Sequence, residues 1–208
     1  MSQPEAATLF IAASEHDSNL YYATRFMAPD PFIYLEIKGE RLMVMSDLEM
    51  DRARTQASVA RVLSYSEIEQ TAKKQGIKDP TAVDIVHVVL KESKIRRLSV
   101  PANFPVIHAA RLQEQGYSLN PKRDPFYEQR VVKTVEEVRH IEGAQRATEE
   151  AVAAAHALLR RAEIKNEQLW LDGEVVTSER IKKFVNVKLM ERDCIAQHTI
   201  VAGGEQAC

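Results

Sequence analysis

The sequence predicts an α/β fold, a mixed sheet with flanking helices, and three observations carry that reading. Over roughly the first 120 residues, short apolar runs of strand length alternate with stretches of helical spacing. Two of those runs are joined by a tight polar turn, so at least one antiparallel hairpin interrupts an otherwise crossover-connected sheet. After about residue 123 the pattern changes to long helices.

The elements follow in order. Thr8–Ala13 is a continuous apolar run of strand length. Phe32–Ile37 and Leu42–Met45 flank Lys38-Gly39-Glu40-Arg41, a polar turn that makes them a hairpin. Asp47 opens a charged helix with an acidic first turn. Ser66 and Glu69 stand at capping-box spacing for a second helix, which Gly76 should end. Asp79-Pro80 reads as N-cap and first helical residue of a third, with Val83, Val86, His87 and Leu90 on one face. Arg97–Val100 is expected as a strand, Pro105–Gln115 as a helix stopped by Gly116, and Tyr117–Leu119 as a strand.

Asn120–Pro125, with two prolines in six polar residues, is the expected linker, which divides the chain into domains at residues 1–122 and 123–208. The second opens on the strongest helical signal, Lys133 to about Ala162. Thr134 and Glu137 form a capping box there, and Val135, Val138, Ile141, Val152, Ala155 and Leu159 recur at helical spacing. Ala144, Ala147, Ala151, Ala153, Ala154 and Ala155 favour the helix and allow close packing. Thr177 should cap a further helix that buries Ile181, Phe184, Val185 and Leu189. Ile195–Ala202 reads as a strand leading into Gly203-Gly204. Such an ending has the look of a turn toward another strand, so the second domain is expected to be incomplete.

Composition narrows the function classes. Of 208 residues, 45% are hydrophobic and 28% charged, which excludes disordered, collagen-like and coiled-coil chains. Net charge is −2, from 15 basic and 15 acidic side chains in residues 1–122 and 13 and 15 in residues 123–208. Neither half has the electrostatic footprint of a nucleic-acid or anionic-membrane partner. Two cysteines, Cys194 and Cys208, make no disulfide framework and fit a reducing, cytoplasmic compartment. The N-terminal MSQPEAATLFIAAS has no basic segment, and no apolar run reaches membrane-spanning length.

Chemistry-bearing motifs are sparse. His16, His87, His108, His140, His156 and His198 show no HExxH or HxxEH spacing. Glu136 and His140 share a helix face as an ordinary solvated pair, and His156 reads as a helix-packing residue. His198 is the histidine most worth following. There is no GxxxxGK[ST], no GxGxxG and no GxSxG. Cys194 is flanked by Asp193, which disfavours the thiolate, and reads as a buried spectator. The pairs Glu136-Glu137 and Glu149-Glu150 read as solvated helix faces. From residues alone, no catalytic, cofactor-binding or metal-binding residue is selected.

Five segments, taken together, go further. Asn19-Leu20-Tyr21-Tyr22-Ala23-Thr24-Arg25-Phe26 resembles the N-x-x-Y-L-T-G-F segment of the N-terminal domain of Xaa-Pro aminopeptidases, prolidases and creatinases. Leu48–Ala53 is similar to that domain's E-x-x-x-A helix. Arg130–Val138 resembles the R-x-x-K-S/T-x-x-E-[IV] entry into the catalytic, pita-bread domain. Thr177–Phe184 and Thr199–Gly204 are similar to the T-E-x-E-[IV] helix and the I-V-a-s-G strand and turn. The order and spacing of the five span essentially the whole chain. One departure is Arg25, where the family often has Gly.

The resemblance implies a creatinase-like N-terminal α/β domain followed by an incomplete α+β pita-bread domain. It also implies hydrolysis of the peptide bond before proline, by water activated between two divalent ions, manganese or cobalt, on two Asp, one His and two Glu. All five ligands follow the strand and turn at Thr199–Gly204, so none maps onto a residue here, and the chain alone is expected to be inactive. The resemblance further implies a proline-containing peptide substrate and a homodimer; Tyr21 and Tyr22 are expected to supply packing and turn structure, with contact to substrate as the lesser alternative. A non-catalytic peptide- or protein-binding module of the same fold is the alternative. An enzyme built around Cys194 or His198 ranks below both.

Overall fold

The computed structural model describes residues 6–207, in two compact units, Met1–Val131 and Val132–Cys208. Cys208 lies outside the described residues. The first unit is built on a six-stranded sheet of order β4-β3-β2-β1-β5-β6, with β1 at Ala6–Ala12, β2 at Phe32–Ile37, β3 at Glu40–Met45, β4 at Arg61–Ser64, β5 at Arg97–Pro101 and β6 at Ser118–Lys122. β1, β2 and β3 pair antiparallel; β4 runs parallel to β3, β5 to β1 and β6 to β5. The sheet is therefore mixed, as the hairpin demands.

Period-two alternation sorts the apolar side chains onto two faces. Leu9, Ile11, Ile33, Leu35, Leu42 and Val44 point to one. The helices α4 (Ala82–Leu90) and α5 (Val106–Glu114) cover it with Val83, Ile85, Val86, Leu90 and Leu112. Phe10, Phe32, Tyr34, Met43 and Met45 point to the other, under α1 (Ser18–Thr24) and α2 (Met50–Gln56). The register makes the two layers consistent: Leu9 faces Leu35 and Leu35 faces Leu42, while Phe10 faces Tyr34 and Tyr34 faces Met43. A helix–sheet–helix sandwich results.

Local chemistry corrects several expected boundaries. The hairpin loop has only two residues, Lys38 and Gly39, with φ of 54° and 81°; positive φ at both central positions suits the right-handed strand twist. Helix α3 (Tyr65–Lys74) is capped by Ser64, not Ser66, and Ser64 Oγ accepts from the Glu67 N–H at 3.2 Å. Ser66 instead donates to Asp47, whose carboxyl is held below the usual range by the hydroxyls of Ser66 and Ser64. Helix α4 starts at Thr81, whose backbone N–H and hydroxyl both donate to Asp84, so Asp79-Pro80 only precedes it. Asn120, Pro121 and Lys122, expected as linker, extend β6 along β5; proline is tolerated there because β6 is an edge strand.

In the second unit α6 (Val135–Arg160) begins with the expected Thr134–Glu137 capping box. Its packed stripe is Ala147, Ala151 and Ala155, whereas Val135 is 72% exposed and Val138 and Ile141 are exposed too. Small side chains at i, i+4 and i+8 let α7 (Ser178–Met190) approach closely, with Leu189 packed against Ala147 and Ala151. Thr177 caps α7, accepting from the Arg180 N–H. Between the helices lies an antiparallel meander, β7 (Glu163–Lys165), β8 (Gln168–Leu171) and β9 (Glu174–Val175). Alternation alone does not reveal it, but Asp172-Gly173, at φ 52° and 83°, is a hairpin signal in its own right. Ile195–Ala202, expected as a strand, has no regular structure. No strand among the described residues pairs with it, and a strand without a partner leaves its backbone groups unpaired.

A stability test arises from α4. Its His87 Nδ1 lies 3.0 Å from the Tyr117 hydroxyl, and the Arg96 guanidinium stacks over the Tyr117 ring. Burial, then the charges of Arg96 and Lys91, hold the His87 pKa below the ordinary imidazole value, with Asp84 opposing. His108 is lowered as well, by burial and Arg111. The unfolded chain thus takes up protons first, so stability that is full above about pH 6.5 is lost as pH falls toward the folded-state pKa values. The melting temperature is expected to drop between about pH 7.5 and about pH 5.5, where few carboxylates titrate, and His87→Gln should flatten that slope. A melting temperature that holds steady or rises on acidification would contradict this account.

Candidate crevice at the sheet edge

β1 and β5 are parallel neighbours, but the chain leaves them in opposite directions. After β1 it passes to α1 on one face of the sheet; after β5 it passes to α5 on the other. Where adjacent parallel strands send their connections to opposite faces, their carboxyl ends part and leave a crevice, the usual ligand position in α/β sheets. A cavity of about 340 Å³ lies there, among His16, Asp17, Ser18 and Asn19 after β1, Asn103 after β5, and Lys122 at the end of β6.

The floor is held by an unusually long-range polar network. Asp17 caps α1, its Oδ1 accepting from the N–H groups of Asn19 and Leu20 at 2.9 and 3.0 Å. The Asn19 side chain then joins segments more than 100 residues apart. Its Nδ2 donates to Asp124 Oδ1 at 2.9 Å, while its Oδ1 accepts from the Phe126 N–H at 3.2 Å and from Arg130 Nη1. Arg130 Nη2 also donates to Ser18 Oγ at 2.7 Å. Phe126 is buried in the Phe10–Tyr34 core. Two segments singled out by resemblance, at Asn19 and at Arg130, are thus in direct contact. Spacing in the sequence gives no sign of that, since the pair is 111 residues apart.

Arg25 ends α1 in the left-handed conformation, φ 52°, with its guanidinium over the Tyr22 ring. The backbone thus takes a shape that glycine favours, although the residue is arginine. Tyr22 packs against Tyr127, and burial pushes the Tyr34 phenol up and that of Tyr127 up to about 12, so both stay neutral at physiological pH.

The remaining candidates are scattered. His87 is tied to Tyr117, His108 packs beside Phe104, and His140 is exposed on α6. His198 sits in the irregular segment with φ 55°. Cys194 is half-buried, and its S–H donates to the Arg192 carbonyl at 3.4 Å. Cys194 and His156 line one groove of about 530 Å³ within the second unit, otherwise mostly apolar. No group of three His, Cys, Asp or Glu that could hold a metal ion is found among the described residues. No helix among them is long and apolar enough to cross a membrane.

No family model and no curated protein matches this sequence. Solved structures do resemble it in fold. The six-stranded mixed sheet and its helices match the N-terminal domain of pita-bread proteins. Among them is an X-Pro aminopeptidase from Thermotoga maritima MSB8, matched over 90% of this chain and 47% of its own with a TM-score of 0.68 at 14% identity. An Xaa-Pro dipeptidase from Bacillus anthracis matches over 89% and 44%, with a TM-score of 0.67 at 12% identity. A prolidase from Pyrococcus furiosus matches over 89% and 45%, with a TM-score of 0.62 at 16% identity. The chain spans just under half the length of these structures, and the likeness is one of fold.

Proposed function

We propose that this chain is the N-terminal portion of a metal-dependent Xaa-Pro peptidase. In this reading residues 1–122 form an accessory α/β domain, and residues 123–208 begin the catalytic domain. The observation that supports it is the fold likeness to aminopeptidases and prolidases along about nine-tenths of the chain. The five motif segments add to it by falling in the family's order.

The metal pair implied by the fold does not fit the residues present, since no set of three ligating side chains converges among the described ones. Its ligands belong, in this proposal, to polypeptide following Cys208, where the ions would supply activated water. The present chain would shape the entrance for a proline-containing peptide and contribute to a homodimer in the cytoplasm.

The experiment compares two proteins from the same coding region, one ending at Cys208 and one continuing past it. Both are assayed on Xaa-Pro dipeptides and on longer peptides with proline second, and sized by sedimentation. Hydrolysis by the longer protein alone, lost on chelation of divalent ions, is the expected result. Hydrolysis by the 208-residue chain would overturn the proposal, as would a coding region without two Asp, one His and two Glu downstream. Peptide binding without hydrolysis by the longer protein would transfer the chain to the non-catalytic reading.

A further inference from the structure

The crevice at the ends of β1, β5 and β6 has a polar lining whose charges cancel. Asp17 and Asp124 stand against exposed Lys122 on the same lining and against Arg130, which bonds Ser18 and Asn19 and lies 3.4 Å from Asp124 Oδ1. A ligand with net charge of either sign would bring that charge in uncompensated, at a cost that grows as water is excluded. A neutral molecule carries no such cost. Hydrogen-bonding capacity, by contrast, is left over. Asp17 is 8% exposed, and its Oδ1 caps α1 by accepting from two N–H groups, but its Oδ2 has no hydrogen bond to a described residue. A carboxylate oxygen so enclosed is costly to leave without a donor. Ser18 Oγ accepts from Arg130, which leaves the serine proton to be donated elsewhere. The Asn103 amide can donate and accept, and the Lys122 ammonium can only donate.

We propose that this crevice binds a neutral polyhydroxylated molecule the size of one sugar ring, a second property of the chain that does not depend on the peptidase reading. Each hydroxyl donates once and also accepts, so neighbouring hydroxyls on one ring match a lining that mixes acceptors with donors and has no net charge. One ring hydroxyl donates to Asp17 Oδ2, and its neighbours meet Ser18, Asn103 and Lys122. Pro101 and Phe126 give the ring carbons an apolar strip. A cavity of about 340 Å³ is at the small end of ligand sites, with room for one ring and not for a chain of them. The Asn19–Arg130 network fixes the floor before the ligand arrives, so binding orders little else.

The test uses the 208-residue chain and follows backbone amide shifts by NMR during titration with D-glucose, D-ribose and myo-inositol. Glucosamine and glucuronate serve as charged counterparts of glucose. Saturable shifts at Ser18, Asn19, Asn103 and Lys122 are expected with at least one neutral probe, and neither charged probe should bind more tightly than the best neutral one. Asp17→Asn keeps the α1 cap, because asparagine caps a helix as well as aspartate does, but it replaces the open acceptor with an amide donor. It should weaken the best neutral probe at least about 10-fold. Failure of all three neutral probes to saturate, tighter binding of a charged probe, or unchanged affinity in Asp17→Asn would each overturn the proposal. The neutral–charged comparison needs no variant, so a poorly folded Asp17→Asn protein would not rescue it.

Discussion

Phe10→Ala is expected to destabilise the Met1–Val131 unit by about 3–5 kcal/mol, the range for emptying an aromatic site in a packed core. Phe10 is 0% exposed at the centre of the sheet. Its ring meets Phe126 edge-on at 4.9 Å, Tyr34 edge-on at 6.0 Å and Tyr127 stacked at 6.3 Å. Alanine removes the area and all three aromatic contacts at once. Two of those contacts hold Phe126 and Tyr127 on the sheet, so the cavity opens beside the floor of the crevice. Denaturation followed by near-UV circular dichroism at tyrosine wavelengths reads this directly, because all six tyrosines precede Val132. Trp170, the single tryptophan, reports the second unit by its fluorescence. A loss below about 1 kcal/mol would mean that Phe10 is not the keystone its burial indicates.

Asn19→Ala is expected to cost about 2–4 kcal/mol by the same tyrosine signal, although it removes few atoms. The substitution leaves the Phe126 N–H without its acceptor and takes the Asn19 partner from Arg130 and Asp124. A buried donor left unpaired carries its full desolvation cost, which is why a small polar residue can outweigh its size. Asn19→Asp keeps an acceptor for Phe126 but places a second carboxylate against Asp124 Oδ1. Recovery should therefore be partial, and greater near pH 4, where carboxylates begin to take up protons, than at neutral pH. Full stability in Asn19→Ala would remove the network from the account of this fold.

The two substitutions separate what can be read along the chain from what cannot. Phe10 is legible in the sequence as a member of an apolar run, because burial on both faces of a sheet leaves that signature in consecutive residues. Its partners Phe126 and Tyr127 are not, since nothing in DPFY tells which sheet face they meet. Asn19 was visible only as part of a motif, and Arg130 as part of another. On α6, helical spacing picks out Val135, Val138, Ile141, Val152, Ala155 and Leu159, of which only Ala155 is buried, whereas the alanines expected to allow close packing supply the stripe at Ala147, Ala151 and Ala155. Periodicity identifies a face that could be buried; the size of the partner's side chains decides which face is. Ile195–Ala202 makes the same point for strands, because β propensity yields a strand only where another backbone offers its hydrogen bonds.

By itself, then, the amino-acid order determined the α/β class, the hairpin, most helix positions and the capping residues Thr134 and Thr177. These depend on contacts within a few residues: alternation, turn φ angles and local N–H acceptors. Tertiary structure alone decided that Asn19 meets Arg130 and that the connections after β1 and β5 diverge. Contacts across about a hundred residues are set by how whole layers stack and by which carboxylates reach which cations once they have stacked, and neither leaves a local trace in the chain.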